Sequence, residues 1–103
     1  MIIYLSGPIS LNGTLPPHMI EENKQRFDEA ATRLRGYGYQ VISPVELPKQ
    51  DSWEDYMRLC IAEVLKADLV YVLPHWGRSR GSVFEVLVAQ TVGTPVENYE
   101  IDR

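Results

Sequence analysis

The sequence predicts an α/β domain of three layers, with helices on both faces of a parallel sheet of four to five strands. Three observations carry this expectation. Apolar runs alternate with helical patterns in the order strand, helix, strand, helix, strand, helix, strand, which is the signature of βαβ units. The runs Met1 to Ser6 and Asp68 to Leu73 lack the apolar/polar alternation of a half-exposed strand, as befits strands buried on both faces. Finally, the strand ends Ser6-Gly7-Pro8, Ser43-Pro44 and Pro74-His75-Trp76 carry turn residues and small polar groups, so one crevice is expected at the C-terminal edge of the sheet. At 103 residues the chain, 1–103, reads as a single domain able to bury a core without disulfides.

Taken in order, Met1 to Ser6 is a strand, and its apolar character suggests a central one. Pro8 to Met19, with Ser10, Asn12, Gly13, Thr14, Pro16 and Pro17, is a loop long enough to serve as a lid or binding loop. Ile20, Phe27, Ala30, Ala31 and Leu34 follow helical spacing up to Gly36 and Gly38. Tyr39 to Ser43 is the second strand and Val45 to Asp51 a loop. Ser52 is a good N-cap for a helix whose stripe is Trp53, Tyr56, Met57, Cys60, Ile61, Val64 and Leu65. The third strand, Asp68 to Leu73, leads through a Gly-Ser-Arg loop to a helix from Val83 to Val92 that is apolar nearly all round. In so small a chain that pattern points to packing on another subunit, hence a homodimer or higher homo-oligomer. Gly93-Thr94-Pro95-Val96 turns into a short last strand, and Glu97 to Arg103 is a polar tail.

Composition narrows the partners. A net charge of −4 argues against polymeric nucleic acid, whose backbone demands a basic face. The N-terminal apolar run has no basic flank and is too short for a signal peptide or membrane span. One cysteine, Cys60, cannot form an internal disulfide and sits among apolar neighbours, so an inert buried thiol and a cytoplasmic protein are expected. His18 has no histidine near it in sequence, and no metal or cofactor is expected.

The chemistry concentrates between Trp76 and Glu85. Strand, glycine-containing loop and helix in that order suit an anion, because the first N–H groups of a helix lack internal partners. Ser79, Ser82 and the arginines Arg78 and Arg80 suit phosphate, and Gly81 permits close backbone approach. Solvent-exposed arginines on a turn are an equal alternative. Glu85 has two readings: Ser82-x-x-Glu85 matches a capping box, or Glu85 points into the crevice as a nucleophile kept ionised by the helix dipole. Trp76 either stacks a base or covers an edge of the core.

With these residues in place, the chain resembles the nucleoside 2-deoxyribosyltransferase superfamily. Its monophosphate N-glycosidases and a small phage and prophage group are the nearest branches. The resemblance spans most of the chain and rests on Tyr4-Leu5-Ser6-Gly7-Pro8-Ile9, Ala67-Asp68, Ser79-x-Gly81-x-x-x-Glu85 and Gly93-x-Pro95-Val96. It implies a flavodoxin- or Rossmann-like fold, Glu85 as the nucleophile that forms a covalent deoxyribosyl-enzyme, and Tyr4 as the tyrosine that assists it. It also implies that Ser79 contacts a 5′-phosphate. Two positions depart from the pattern: Ser10 stands where the related hydrolases carry an arginine, and Cys60 where they carry the aspartate that protonates the leaving base. Glycosidic cleavage ordinarily uses two carboxylates. The acid would then come from Asp68, Glu46 or a partner chain, water would protonate the base, or turnover would be lost. The expected activity is cleavage of the base–sugar bond of a (deoxy)nucleoside 5′-monophosphate. Glu85 and Tyr4 would be catalytic, and Gly7, Ser10, Trp76, Ser79, Arg80, Gly81 and Ser82 would bind substrate. Nucleotide binding without turnover, or deoxyribosyl transfer between bases, are the alternatives.

Overall fold

The computed structural model describes residues 1–11 and 13–99. Strands β1 (Ile2–Ser6), β2 (Gln40–Ile42), β3 (Leu69–Val72) and β4 (Val96–Asn98) alternate with helices α1 (Pro17–Gly36), α2 (Trp53–Val64) and α3 (Arg80–Thr91). All strands are parallel, in the order β2-β1-β3-β4, so β1 is central and the order reverses between β1 and β3. This is the flavodoxin-like order, and its reversal point is where such sheets open a crevice. Tyr4 is flanked by Ile42 on one side and Val70 on the other.

Alternation along β1 builds the three layers. Ile3 and Leu5 face α1, packing with Phe27, Ala30, Ala31 and Leu34. Tyr4 faces the opposite side, with Cys60 and Val64 of α2 and Val86 and Ala89 of α3. On that side α3 leaves Val83, Phe84 and Leu87 exposed, an i, i+1, i+4 patch of apolar surface. No helix among the described residues is long and apolar enough to cross a membrane.

Several boundaries differ from the sequence expectation for identifiable reasons. Helix α1 starts at Pro17 instead of Ile20, because proline at the first helical position has the right φ and no N–H to lose. Helix α3 starts at Arg80, three residues early, because Ser79 and not Ser82 is the N-cap: its Oγ accepts from the Ser82 N–H at 3.2 Å. Ser52 caps α2 as expected, accepting from the Asp55 N–H at 3.0 Å. The segment after β2 contains a 3-10 turn, Pro44–Glu46, held by Arg35, which reaches from the end of α1 to both Glu46 carboxylate oxygens and to the Val41 carbonyl. Strand β4 runs to Asn98, into the stretch read as tail; residues 100–103 of that tail lie outside the described residues.

Gly7 ends β1 where the chain passes β3. A Cβ there would lie 2.9 Å from the Leu73 Cβ, an atom that cannot swing away. Gly7→Ala is therefore expected to cost about 1–3 kcal/mol by overpacking. In a domain of this size that means a fall of at least about 4 °C in thermal midpoint, read by circular dichroism.

Candidate active site

At the C-terminal ends of β1 and β3, a cleft of about 160 Å³ is bounded by three segments. The chain after β1 contributes Gly7, Ile9, Ser10 and Leu11. The start of α2 contributes Trp53, Tyr56 and Met57, beside Pro44. The first turns of α3 contribute Ser79, Arg80, Gly81, Ser82 and Glu85. The loop wall is tied down from behind: the Asn23 side chain of α1 donates to the Ile9 carbonyl at 2.9 Å, and the Ser10 Oγ accepts from the Gly13 N–H at 3.2 Å.

Glu85 occupies the inner end. It does not make the capping box its spacing allows. Its side chain instead turns towards β1, where Tyr4 Oη donates to one carboxylate oxygen at 3.0 Å and Ser6 Oγ to the other at 2.7 Å. Tyr4 and Ser6 can both reach it because residues two apart on a strand share a face. Only 5 % of Glu85 is exposed. Burial pushes its pKa up to about 7, and the hydroxyl donors Ser6 and Tyr4 pull in the opposite direction. A carboxyl with that pKa is only partly ionised near neutral pH, whereas the sequence reading has it kept ionised by the helix dipole; burial is the cause.

The surrounding groups are neutral. Tyr4 is fully buried, and burial together with the nearby Glu85 charge holds its hydroxyl protonated well above the ordinary tyrosine range. Cys60 faces the same cluster, its thiol pushed up to about 11 by burial and then by Glu85. Tyr56 is raised too, mainly by burial, and its hydroxyl donates to the Pro44 carbonyl at 2.7 Å. Neither acid suggested as a substitute reaches the cleft. Asp68 precedes β3, at the other end of the sheet, where its carboxylate accepts from the Ile2 N–H at 2.8 Å. Glu46 is held by Arg35 at 2.6 Å, which keeps its carboxyl below the usual range. Among the described residues no group of three His, Cys, Asp or Glu side chains is placed to hold a metal ion.

Of the residues singled out from sequence, Tyr4, Gly7, Ser10, Ser79, Arg80, Gly81, Ser82 and Glu85 come together here. Trp76 does not. It lies in a 3-10 turn, Trp76–Arg78, entered through a left-handed His75 (φ 67°), and packs against the core between the sheet and α2 and α3. Its reading as core cover is the one the structure matches. Arg78 is likewise absent from the cleft wall. Sequence reasoning missed Ser6, although its two-residue spacing from Tyr4 was a usable signal. It also read Trp53, Tyr56 and Met57 only as an apolar stripe, whereas all three line the cleft.

Arg80 marks the mouth. Its guanidinium carbon lies 4.5 Å from the centroid of the Trp53 ring and 5.9 Å from that of Phe84. Beyond it opens a shallower recess lined by Ser10, Trp53, Glu54 and Arg80.

Comparison with known proteins agrees with this architecture. A solved structure described as a 2-deoxyribosyltransferase from Bacillus psychrosaccharolyticus, a biocatalyst for nucleoside synthesis, superposes with a TM-score of 0.69. The match covers 100 % of this chain and 77 % of that one, at 22 % identity, and shows a shared fold. No curated protein is similar enough to match. Residues 1–98 do match one family model over nearly the whole length of the chain, and on that ground the protein belongs to the family described as a domain of unknown function, DUF4406.

Proposed function

We propose that the protein is an N-glycosidase that cleaves the base–sugar bond of a (deoxy)nucleoside 5′-monophosphate, with Glu85 as nucleophile. One observation carries the reading: a buried carboxylate at the inner end of the cleft, its two oxygens held by Tyr4 and Ser6 from the neighbouring strand. A buried carboxyl whose pKa lies near neutrality is the kind of group active sites hold. The fold shared with a protein described as a 2-deoxyribosyltransferase supports the same chemical class.

The proposed reaction runs as follows. The sugar lies against Glu85, with the phosphate towards Ser79, Gly81, Ser82 and Arg80 and the base beneath Ile9 and Leu11. Ionised Glu85 attacks C1′, forming a C–O bond as the C1′–N bond breaks, and the electron pair leaves with the base. With no second carboxylate among the described residues of the inner cleft, water protonates the departing base. A water oxygen then replaces Glu85 at C1′, restoring the carboxylate and releasing the sugar phosphate, so that one water is consumed overall. A second base arriving in place of water would make the same intermediate a transfer reaction. In this reading the exposed Val83, Phe84 and Leu87 surface of α3 is where copies of the chain associate as a homodimer or larger assembly.

A second reading, nucleotide binding without turnover, is favoured by Glu85 being the sole carboxylate among the residues of the inner cleft. Incubation with a panel of deoxynucleoside 5′-monophosphates, followed by chromatography for free base, separates the two. Base release by wild type but not by Glu85→Gln is the expected result. Silence from both, with a melting-temperature rise on nucleotide addition to both, would leave binding alone.

A further inference from the structure

We propose that Trp53 and Phe84 hold the Arg80 guanidinium as a fixed cation at the cleft mouth, and that this selects substrates bearing a 5′-phosphate over uncharged nucleosides. It rests on the nucleotide reading above and assigns the selectivity to Arg80 as held by two aromatic side chains.

The first observation is that the Arg80 guanidinium lies over two rings, 4.5 Å from the centroid of Trp53 at the start of α2 and 5.9 Å from that of Phe84 one turn into α3. An exposed arginine ordinarily loses rotamer freedom when it grips a ligand. Attraction to the Trp53 ring, with Phe84 farther off, removes part of that freedom in advance, and guanidinium N–H groups not engaged by the rings can bond phosphate oxygens. Second, Arg80 is in ion-pair contact with no described carboxylate, so its charge is not already neutralised. Third, the sizes fit. The inner cleft, at about 160 Å³, is smaller than the several hundred Å³ that usually enclose a ligand of nucleotide size. The adjoining recess offers room for the rest of such a ligand, and Arg80 and Trp53 line both spaces. Glu54, on the recess wall, disfavours an anion placed deep in the recess and leaves the position beside Arg80 as the anionic one.

The test measures steady-state base release from the four 2′-deoxynucleosides and their 5′-monophosphates by wild type, Arg80→Gln, Trp53→Leu, Trp53→Phe and the double variant R80Q/W53L. Arg80→Gln is expected to lower kcat/KM for monophosphates roughly tenfold or more, the worth of a charge-assisted bond, and to lower that for nucleosides by a much smaller factor. Trp53→Leu should raise KM for monophosphates about two- to fivefold at constant kcat, the range of an exposed cation–π contact, and Trp53→Phe should restore it. In the double variant the Trp53 effect should vanish, since its partner is gone. Equal losses on monophosphates and nucleosides in Trp53→Leu, or additive effects in the double variant, would overturn the proposal while base release by wild type kept the glycosidase reading. If wild type releases no base, that reading fails separately, and the same five proteins are titrated calorimetrically with a monophosphate and its nucleoside. A monophosphate preference lost in Trp53→Leu then upholds the clamp; no preference in wild type refutes it.

Discussion

Glu85→Gln should reduce base release by a factor on the order of 10⁴ or more, the scale of losing a covalent nucleophile, while making the protein more stable above neutral pH. The two effects have one origin. Glutamine keeps the shape of the side chain but cannot form the glycosyl bond, and it carries no charge to bury. In the folded chain the Glu85 pKa is about 7 because burial penalises the anion, whereas in the unfolded chain it is that of an ordinary carboxyl. Below about pH 4.5 the group is neutral in both states and costs nothing. As pH rises from there towards 7, the unfolded chain releases its proton first, and stability is lost progressively. Wild type and variant should therefore have similar thermal midpoints, apart from the changed bonds to Tyr4 and Ser6, near pH 4.5. By pH 8 the variant should gain roughly 2–3 kcal/mol relative to wild type. Calorimetric unfolding across that range checks the sign. A wild type that gained stability relative to the variant with rising pH would contradict the burial of the anion.

Tyr4→Phe carries the second large effect. It removes the hydroxyl that donates to Glu85 at 3.0 Å while leaving the ring that fills the core between β1 and the two helices. A hydrogen bond to a charged group is worth about 1.5–3 kcal/mol, so kcat/KM at its optimum is expected to fall roughly ten- to a hundredfold. The pH profile distinguishes this from general damage. The Tyr4 donor favours ionised Glu85, so its loss raises that pKa further and moves the rising limb of the kcat/KM profile to higher pH. In wild type that limb should be centred near pH 7. An unshifted limb in Tyr4→Phe would mean that the hydroxyl does not act through the Glu85 charge.

Much of this arrangement was legible from residues alone. The apolar runs and their turn residues were enough for the layer order, because hydrophobic period and punctuation are local properties. Glu85 and Tyr4 were legible as partners only through the resemblance, since nothing local says that positions eighty residues apart will meet. What stayed hidden depends on three-dimensional competition. Ser79 and Ser82 are both acceptable caps, and the choice between them was made by the fold: starting α3 at Ser79 places Glu85 a full turn and a half inside the helix, facing β1. Likewise Trp53 and Trp76 are both aromatic residues near chain turns. Only the packing of the 3-10 turn on the core shows that the former borders the cleft and the latter does not. The change in expected charge state at Glu85 is of the same kind, because desolvation depends on neighbours that a linear pattern does not count.

The tie between Glu85 and the pair Tyr4–Ser6 also bears on how the molecule comes into being. Its two ends lie 79 and 81 positions apart in sequence, so a chain emerging from the ribosome displays the first strand long before the third helix exists to meet it. Until residue 85 is made and α3 has docked, Tyr4 and Ser6 have no carboxylate to donate to, and the reactive centre does not exist in any partial form. In the proposed reading, activity thus waits on the docking of α3, and a fragment ending before α3 lacks the proposed nucleophile, however well its first two helices fold.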